Sequence, residues 1–410
     1  AMTTAADTLS TFSSRGIRQG RPGISKPDIA APGQTITSSQ TGVTCTGTAP
    51  STGCQVPNAA GFIPNSQTLT ISGTSMASPH VAGIMALLRQ QHADWTVEEL
   101  KALAMNTALN NVTVGANGGG ARYGVGRIGA GRVDPPKAAT ANVVAFNAED
   151  SGQVSLSFIA EVVGTTTQFK RVRLVNKGMT AVTYALDFDT SVDAPGISFS
   201  LPGGASVTIP PQQSVEFDVQ MSANAAQMDH TRESTIVPYQ VAPAPINSLG
   251  NVSRFWITEE SAYLNFKIAG VTQLRMPIYA APRPASMINA SATITTGGAP
   301  TGSTTISLTG PDVCTGTLGA GPTCTGTFPT DVVSLVSPFE LQVVSPRNTA
   351  IPDYADIQYA GVATDATRIL FGVASHGDWS TLSQVSYSIF VDTNEDGTYD
   401  RRLFSTDMGT

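Results

Sequence analysis

Apolar positions along the first third of the chain recur at the spacing of helices. One stripe predicts a helix that is anchored in a core, and its members are Val81, Ile84, Met85 and Leu88. A second stripe predicts another buried helix, and its members are Val97, Leu100, Leu103 and Ala104. Thr96 and Glu99 stand at the spacing of a capping box, so the second helix should begin directly after Thr96.

After residue 142 the period changes to two, which is typical of half-buried strands. About seven strands separated by turn residues are predicted before residue 280, as in an Ig-like or fibronectin type III-like sandwich. They cover residues 154–158, 172–174, 184–188, 207–209, 215–219, 263–268 and 274–279. Residues 223–251 are polar and irregular and predict a long loop.

Prolines in residues 280–285 predict a stiff linker. A second β module is expected beyond the linker. Its predicted strands are residues 290–294, 304–308, 339–344, 369–373, 387–391 and 402–405.

Composition narrows the possible functions. Charged residues make up 13% of the chain and the net charge is -7, which argues against a phosphate-binding surface and so against nucleic acid as a partner. No apolar run approaches the roughly eighteen residues that a membrane span needs. The content of Gly, Pro, Ser and Thr is typical of extracellular β modules.

The four cysteines fall as two close pairs, Cys45 with Cys54 and Cys314 with Cys324. Each pair flanks a loop rich in Gly and Thr, which predicts two local disulfides and an oxidising compartment. Four free thiols are the alternative. No Cys-x-x-Cys spacing indicates zinc.

The candidate nucleophile is Ser75, which a turn of small residues delivers to the start of the first predicted helix. A hydroxyl at a helix N-terminus lies near unpaired backbone N–H groups that can donate to a developing oxyanion, but it still needs a base. The alternative is that Ser75 only caps the helix.

The stretch Gly73–Gly83, which reads GTSMASPHVAG, resembles the nucleophile motif of the subtilisin-like serine proteases, the subtilases. Similar segments occur at residues 12–16, 26–33, 95–100 and 124–131, so the resemblance covers about the first third of the chain. It implies that Ser75 is the nucleophile, that its backbone N–H helps to hold the oxyanion, and that catalysis needs no cofactor.

In that family the triad order is Asp, His, Ser, so both partners of Ser75 should precede it. The only histidines are His80, His92, His230 and His376, and none stands in the family's His-Gly-Thr-His context. Asp28, within Lys-Pro-Asp-Ile, matches a later segment of the family and not the catalytic Asp. We therefore expect this chain to be the C-terminal part of a secreted or cell-surface endopeptidase. By itself the chain should be inactive.

The expected partners are the missing N-terminal part of the catalytic domain and, for the intact enzyme, protein or peptide substrates. The alternative function is a non-catalytic extracellular binding or adhesion protein that retains a remnant of a protease domain. The predicted fold is multidomain, a partial α/β subtilisin-like domain followed by two all-β sandwich-like domains. The expected boundaries are residues 1–140, 141–285 and 286–410.

An acidic loop near the end of the chain carries oxygen ligands at alternate positions, with Gly397 after the third, as a compact calcium loop requires. The candidate ligands are Asp392, Asn394, Asp396, Thr398 and Asp400. The twelfth position is Leu403 where an EF-hand has Glu. A β-hairpin turn on Asp396–Gly397 is the alternative, and the two interpretations are compatible.

Overall fold

The computed structural model describes most of the chain. The described ranges are residues 7–16, 25–39, 68–229, 231–241, 250–253, 256–291, 305–310, 317–318, 324–325, 338–377 and 385–404. Within them the protein is mostly β-sheet with few helices.

The α-helices of the described residues all lie before residue 141. They are α1 (Thr74–Gln91), α2 (Val97–Asn106), α3 (Val125–Ile128) and α4 (Pro135–Thr140). Short 3₁₀ turns occur at Ala116–Gly118 and Ala225–Gln227. The first residues of α4 are prolines, which fits the fixed φ of proline and its missing N–H.

The strands of the first three quarters of the chain include long ribbons of 11 or 12 residues. They are β1 (Ile36–Ser39), β2 (Thr68–Ile71), β3 (Val143–Asn147), β4 (Leu156–Phe158), β5 (Glu161–Val162), β6 (Thr165–Asn176), β7 (Val182–Val192), β8 (Ile197–Ser200), β9 (Ser206–Ile209), β10 (Ser214–Asn224), β11 (Tyr239–Val241), β12 (Asn251–Ser253), β13 (Glu260–Ile268), β14 (Val271–Ala280) and β15 (Arg283–Pro284).

The later strands are mostly short. They are β16 (Asn289–Ala290), β17 (Leu308–Thr309), β18 (Thr317–Leu318), β19 (Cys324–Thr325), β20 (Glu340–Val344), β21 (Ile357–Thr364), β22 (Ile369–Ser375), β23 (Ser388–Val391) and β24 (Arg401–Phe404).

Two sheets form the largest body of the molecule. One has the order β3-β6-β10-β8 and the other the order β4-β14-β13-β7-β9. Alternate residues of both sheets enter one apolar core, which includes Leu174 and Met221 from the first sheet and Leu264 and Met276 from the second. This packing follows from the period-two pattern, which directs one face of each sheet inward.

Several features of this body differ from the sequence expectations, among them the unpredicted strands β3, β5 and β8 and the path of residues 280–285. Strand β3 was not predicted, because all five of its residues are buried and show no alternation. The residues of the predicted linker are hydrogen-bonded to earlier parts of the chain. Strand β15 pairs in parallel with β5, and the backbone N–H groups of Ala281 and Arg283 donate to the carbonyls of Phe158 and Ala160. Residues 280–285 are therefore bound along the edge of the sheets.

The later part of the chain contains a three-stranded sheet, β20-β21-β22, and a hairpin of β23 with β24. Strand β21 was not predicted, whereas β20, β22 and β23 lie close to predicted strands. The residues of β20 are all exposed.

Helix α2 confirms its predicted start, since Thr96 and Glu99 form both hydrogen bonds of the capping box. Seven of its ten residues are buried. The prediction for Val97 was wrong, because that side chain is 76% exposed. As the first residue of the helix it lies at the rim, before the buried face begins.

Helix α1 differs more from its prediction. Ile84 and Met85 are half-buried against the core beside α2, but Leu88 is the only buried residue among its 18. Leu87 is 63% exposed. Pro79 lies inside the helix, where it removes the backbone donor for the carbonyl of Ser75. Full burial in α1 is thus limited to one residue near its C-terminal end.

Candidate functional site

Helix α1 begins at a turn that is fixed by backbone hydrogen bonds. Gly73 is the N-cap and makes no side-chain capping bond. Its N–H donates to the carbonyl of Gly33 at 2.7 Å, and its own carbonyl accepts from Met76 at 3.0 Å. Ser75 is therefore the second residue of the helix, and capping is not its role.

The side chain of Ser75 is exposed, and its hydroxyl has no hydrogen-bond partner among the described residues. It borders a cleft of about 430 Å³. The other lining residues are Ile36, Thr37, Ser38, Ser39, Ile71, Met76, Pro79 and His80. Because the first N–H groups of a helix have no intrahelical acceptor, the backbone N–H of Ser75 is suited to hold an anionic oxygen.

The opposite wall of this cleft is the hairpin of β1 and β2. The strands pair antiparallel, and the hydroxyls of Thr37 and Thr70 share a hydrogen bond of 2.7 Å. Ser72 Oγ accepts from the Thr35 N–H at 2.8 Å, which ties the hairpin to the residue before the N-cap. The wall and the serine are thus positioned by the same short segment.

A second cleft, of about 390 Å³, lies on the other side of the α1 N-terminus. It is lined by Thr74, Ala77, Ser78 and Val81 of the helix and by residues that include Ser13, Ser14 and Arg127. Arg127 donates to the carbonyl of Ser13.

None of the described histidines forms a hydrogen bond with Ser75. His80 lines the same cleft, but its Nδ1 is 2.8 Å from the Met76 carbonyl oxygen, one helical turn back. His92 stacks on Trp95 with 4.3 Å between ring centroids. His376 lies in the last part of the chain, with Nε2 3.1 Å from the Ser345 carbonyl oxygen. His230 lies outside the described residues.

Asp28 pairs with two lysines, with 2.7 Å from its Oδ2 to Lys26 Nζ and 3.2 Å to Lys101 Nζ. These ion pairs give Asp28 a role in holding residues 26–28 against α2. They agree with the expectation that it is not the triad acid.

The structure reveals a junction that the sequence did not predict, between the helical segment and the two sheets. Asn106, at the end of α2, donates through Nδ2 to the Arg275 carbonyl at 3.0 Å and accepts through Oδ1 from the Ala145 N–H at 2.7 Å. The Tyr263 hydroxyl donates to the Gly129 carbonyl at 2.9 Å. Helix α2 is therefore clamped to both sheets.

Ion pairs strengthen the junction. Arg122 donates to both carboxylate oxygens of Asp189 at 2.8 Å, and Asn110 donates to the same carboxylate. The hydrogen bond from Arg122 is the main reason why the pKa of Asp189 lies below its usual value. Lys177 pairs with Glu99 at 2.7 Å and lies over the ring of Trp95. No periodicity could have indicated these contacts, because their partners are far apart in sequence.

The acidic loop at residues 392–400 joins β23 to β24, so the hairpin alternative is observed. Both carboxylate oxygens of Asp392 accept backbone N–H groups, from Glu395 and from Gly397 at 2.8 Å. Within the described parts of the chain, no group of three or more His, Cys, Asp or Glu side chains is arranged to hold a metal ion. Calcium binding by Asp392, Asn394, Asp396, Thr398 and Asp400 stays a prediction.

The predicted disulfides cannot be placed. Cys45, Cys54 and Cys314 lie outside the described residues, and only the backbone of Cys324 is described, in β19. Both pairs stay predictions. Across the part of the chain that is described, no helix has the length and apolarity to cross a membrane.

Comparison with known proteins agrees with the motif at Ser75. Residues 1–126 match the Subtilase family. Subtilisin-like protease SBT1.9 of Arabidopsis thaliana is 42% identical over 28% of this chain and 14% of its own length. For SBT1.4 of the same plant the identity is 36%, over 33% of this chain and 17% of the relative. The first part of the chain is thus similar to subtilases, which confirms the resemblance noted from sequence.

A bacterial relative extends the match into the sheets. Minor extracellular protease Vpr of Bacillus subtilis is 30% identical over 56% of this chain and 25% of its own length. Among solved structures, a FixG-related protein from Vibrio parahaemolyticus covers 34% of this chain and 94% of its own, at 8% identity and a TM-score of 0.19. A likeness at that score carries no argument. The chain spans a quarter or less of these protease relatives.

Proposed function

We propose that this chain is the C-terminal part of a secreted subtilisin-like serine endopeptidase in which Ser75 is the nucleophile. The observation that carries the proposal is the exposed hydroxyl of Ser75 in the first turn of α1, without a partner among the described residues, beside a cleft and within a segment that matches the Subtilase family. In such an enzyme the serine attacks a peptide carbonyl and forms an acyl-enzyme. The Ser75 N–H donates to the oxyanion.

The triad base and acid come from sequence that precedes this chain. The exposure of α1 supports this part of the proposal, because 17 of its 18 residues lack full burial although Val81, Ile84 and Leu87 are apolar. The relatives also extend far beyond the matched region. The preceding sequence would cover α1 and bring an Asp and a His to Ser75.

Secretion is part of the proposal, since a relative that matches more than half of this chain is named an extracellular protease. The domain boundaries at residues 140 and 285, the subtilisin-like α/β character of the first segment and the sandwich-like character of the later ones also belong to it. The substrates of the whole enzyme are proteins or peptides.

The test is labelling by a fluorophosphonate probe, which reacts with activated serines. We expect the protein expressed with its preceding sequence to be labelled and to cleave casein. Ser75→Ala should abolish both activities. Ser78→Ala is the matched control, since Ser78 is exposed on the same helix but lines the other cleft. Residues 1–410 alone should be unlabelled, because loss of the triad base costs about 10⁶-fold in subtilisin itself.

Two results would contradict the proposal. Cleavage that persists in Ser75→Ala would show that another residue is the nucleophile. A longer protein that folds but neither reacts with the probe nor cleaves casein would favour the alternative, a non-catalytic extracellular binding protein.

A further inference from the structure

The junction between the helical segment and the sheets contains a cluster with more buried carboxyl groups than cationic groups. Arg15 precedes the helices, and its side chain is 16% exposed. It lies between Glu233 and Glu259, whose side chains are each 2% exposed. Arg15 Nη2 is 2.6 Å from Glu233 Oε2, and Nη1 is 2.6 Å from Glu259 Oε1. One guanidinium therefore serves two buried carboxyl groups.

The two carboxyl groups have unequal surroundings. Glu233 accepts hydrogen bonds from the Thr235 N–H at 2.8 Å, from the Thr235 hydroxyl at 2.5 Å and from Arg15. Glu259 accepts from Arg15 and shares a hydrogen bond with the Tyr279 hydroxyl. Glu233 therefore has three hydrogen-bond donors, whereas Glu259 has two.

Further charged groups face this cluster from each neighbouring element. Asp193, after β7, and Arg232 line a cleft of about 270 Å³ together with Glu233 and Glu259. Arg232 is directed to the Ile236 carbonyl. Glu260, the first residue of β13, bonds the Ala194 N–H. From α3 the cluster meets Gly126, where an added Cβ would lie 3.1 Å from Glu259 Oε2.

Burial raises the pKa of Glu259, and the charge of Glu233 raises it further, while Arg15 opposes both effects. Burial also raises the pKa of Glu260, to about 8. When two carboxyl groups share one buried cation, a proton on one of them relieves the repulsion between their charges. The buried cluster is then electrically balanced, with one cation and one anion.

We propose that Arg15, Glu233 and Glu259 form a proton-dependent latch that joins the helical segment to the sheets. The latch is closed when Glu259 is protonated. Loss of the Glu259 proton leaves two buried carboxylates on one guanidinium and weakens the latch. The proposal concerns folding of the chain and is independent of the proposed protease activity.

The sign of the pH effect follows from the raised pKa. Below the ordinary value of 4.5 both the folded and the unfolded chain hold the proton, and the contribution of the latch is complete. At higher pH the unfolded chain releases it first, so the opening equilibrium rises about tenfold per pH unit. The rise ends once the pH has passed the pKa of Glu259 in the folded protein. The junction is therefore tightest in acid.

Opening would also reach the cleft beside the helix that carries Ser75. Arg15 directly follows Ser13 and Ser14, which line that cleft together with Ser78 and Arg127. The Gly16 N–H, next to Arg15, donates to the Gly126 carbonyl at 2.8 Å. This amide and that of Thr235 report directly on the latch.

The test is hydrogen exchange of residues 1–410 between pH 5 and pH 9, measured by mass spectrometry on peptides that contain Gly16 and Thr235 and corrected for intrinsic exchange rates. We expect protection of both peptides to fall as the pH rises, by at most about tenfold per pH unit, until the pKa of Glu259 in the folded protein is passed. Glu259→Gln imitates the protonated state and should make the fall of protection with pH smaller than in the wild type. Glu233→Gln should reduce protection even at pH 5, because the ionised partner of Arg15 is lost.

Two controls separate the latch from other carboxyl groups. Glu260→Gln removes the adjacent buried carboxyl and should leave the pH dependence at Gly16 in place. Glu216→Gln removes the partner of Arg173 on the outer face of the first sheet and should change nothing at either peptide. A Glu259→Gln profile parallel to that of the wild type, or protection of the wild type that does not vary with pH, would overturn the proposal. So would loss of the pH dependence in Glu260→Gln alone.

Discussion

Helices α1 and α2 follow one another within the residues that match the Subtilase family, yet their burial is opposite. Each carries an apolar stripe of helical spacing. Seven of ten residues are buried in α2, against one of 18 in α1. The difference lies in the neighbours, since α2 packs on the strands β3 and β14 whereas α1 packs on the helices α2 and α4.

An amphipathic pattern predicts that one face of a helix packs against other residues. It does not identify those residues, which are the cover of the helix. For α2 the cover is the sheet part of this chain, which Asn106 bonds directly. For α1 we propose that the cover is the preceding sequence. The helix that carries Ser75 is then the less stable of the two in this chain, and substitutions on the two helices should differ accordingly.

The largest effect is expected from Leu103→Ala on α2. Leu103 is fully buried, so its truncation leaves a cavity and should reduce the free energy of unfolding by about 2–5 kcal/mol. The measurement is urea denaturation followed by circular dichroism. Leu87→Ala on α1 is the matched control, because that side chain is 63% exposed and should change stability by about 0.5 kcal/mol or less. Equal losses in the two variants would mean that α1 is covered within this chain.

Structural features that are marked by a short local pattern of residues could be predicted from the sequence. The capping box of Thr96 and Glu99 spans three residues and was predicted correctly. Strand β3 was missed because burial on both faces removes the alternation that marks a strand. The burial of α1 was overestimated because its stripe was taken to have a cover.

Some residues of the candidate site could likewise be predicted from a local pattern, and others could not. Ser75 could be singled out because its whole motif is one continuous stretch. The junction could not, since Arg15 meets Glu233 and Glu259 across 218 and 244 residues, and sequence periodicity contains no information on such pairs. The pairing of β15 with β5 likewise joins residues that are far apart in sequence. The sequence therefore predicted a linker where the structure has a paired strand.

A smaller effect is expected from Asn106→Ala, which removes the clamp between α2 and the sheets. The side chain is fully buried, and its loss leaves the Ala145 N–H and the Arg275 carbonyl without this partner. We expect a loss of about 1–3 kcal/mol in the free energy of unfolding by the same denaturation measurement. Asn111→Ala, at an exposed position nearby, serves as the control. A loss no greater than that of the control would show that the hydrogen bonds of Asn106 do not hold α2 against the sheets.

Helix capping gives a third difference between the two helices. The N-cap of α2 is Thr96, which accepts from the Glu99 N–H at 3.1 Å, whereas α1 begins at Gly73 without a side-chain cap. Thr96→Ala should cost about 1 kcal/mol, measured by thermal denaturation. Gly73→Ala tests the other helix and should leave stability within about 0.5 kcal/mol, since an added Cβ would meet its nearest atom at 3.4 Å. A larger loss in Gly73→Ala than in Thr96→Ala would reverse this ranking.

The smallest effect is expected from Asp189→Asn, which breaks the more exposed ion pair of the junction. The Arg122 hydrogen bond holds the pKa of Asp189 below its usual value, so the pair stabilises the fold above about pH 4 and this contribution is lost as the pH falls through the lowered pKa. Asp189 is 35% exposed at its side chain, and solvent screening limits the expected loss at pH 7 to about 0.5 kcal/mol. Urea denaturation at pH 7 and pH 3 checks this, because the wild type and the variant should differ at pH 7 and converge at pH 3. A difference that is the same at both pH values would mean that the substituted amide disturbs packing and that the charge of Asp189 contributes nothing to the attachment of the helical segment.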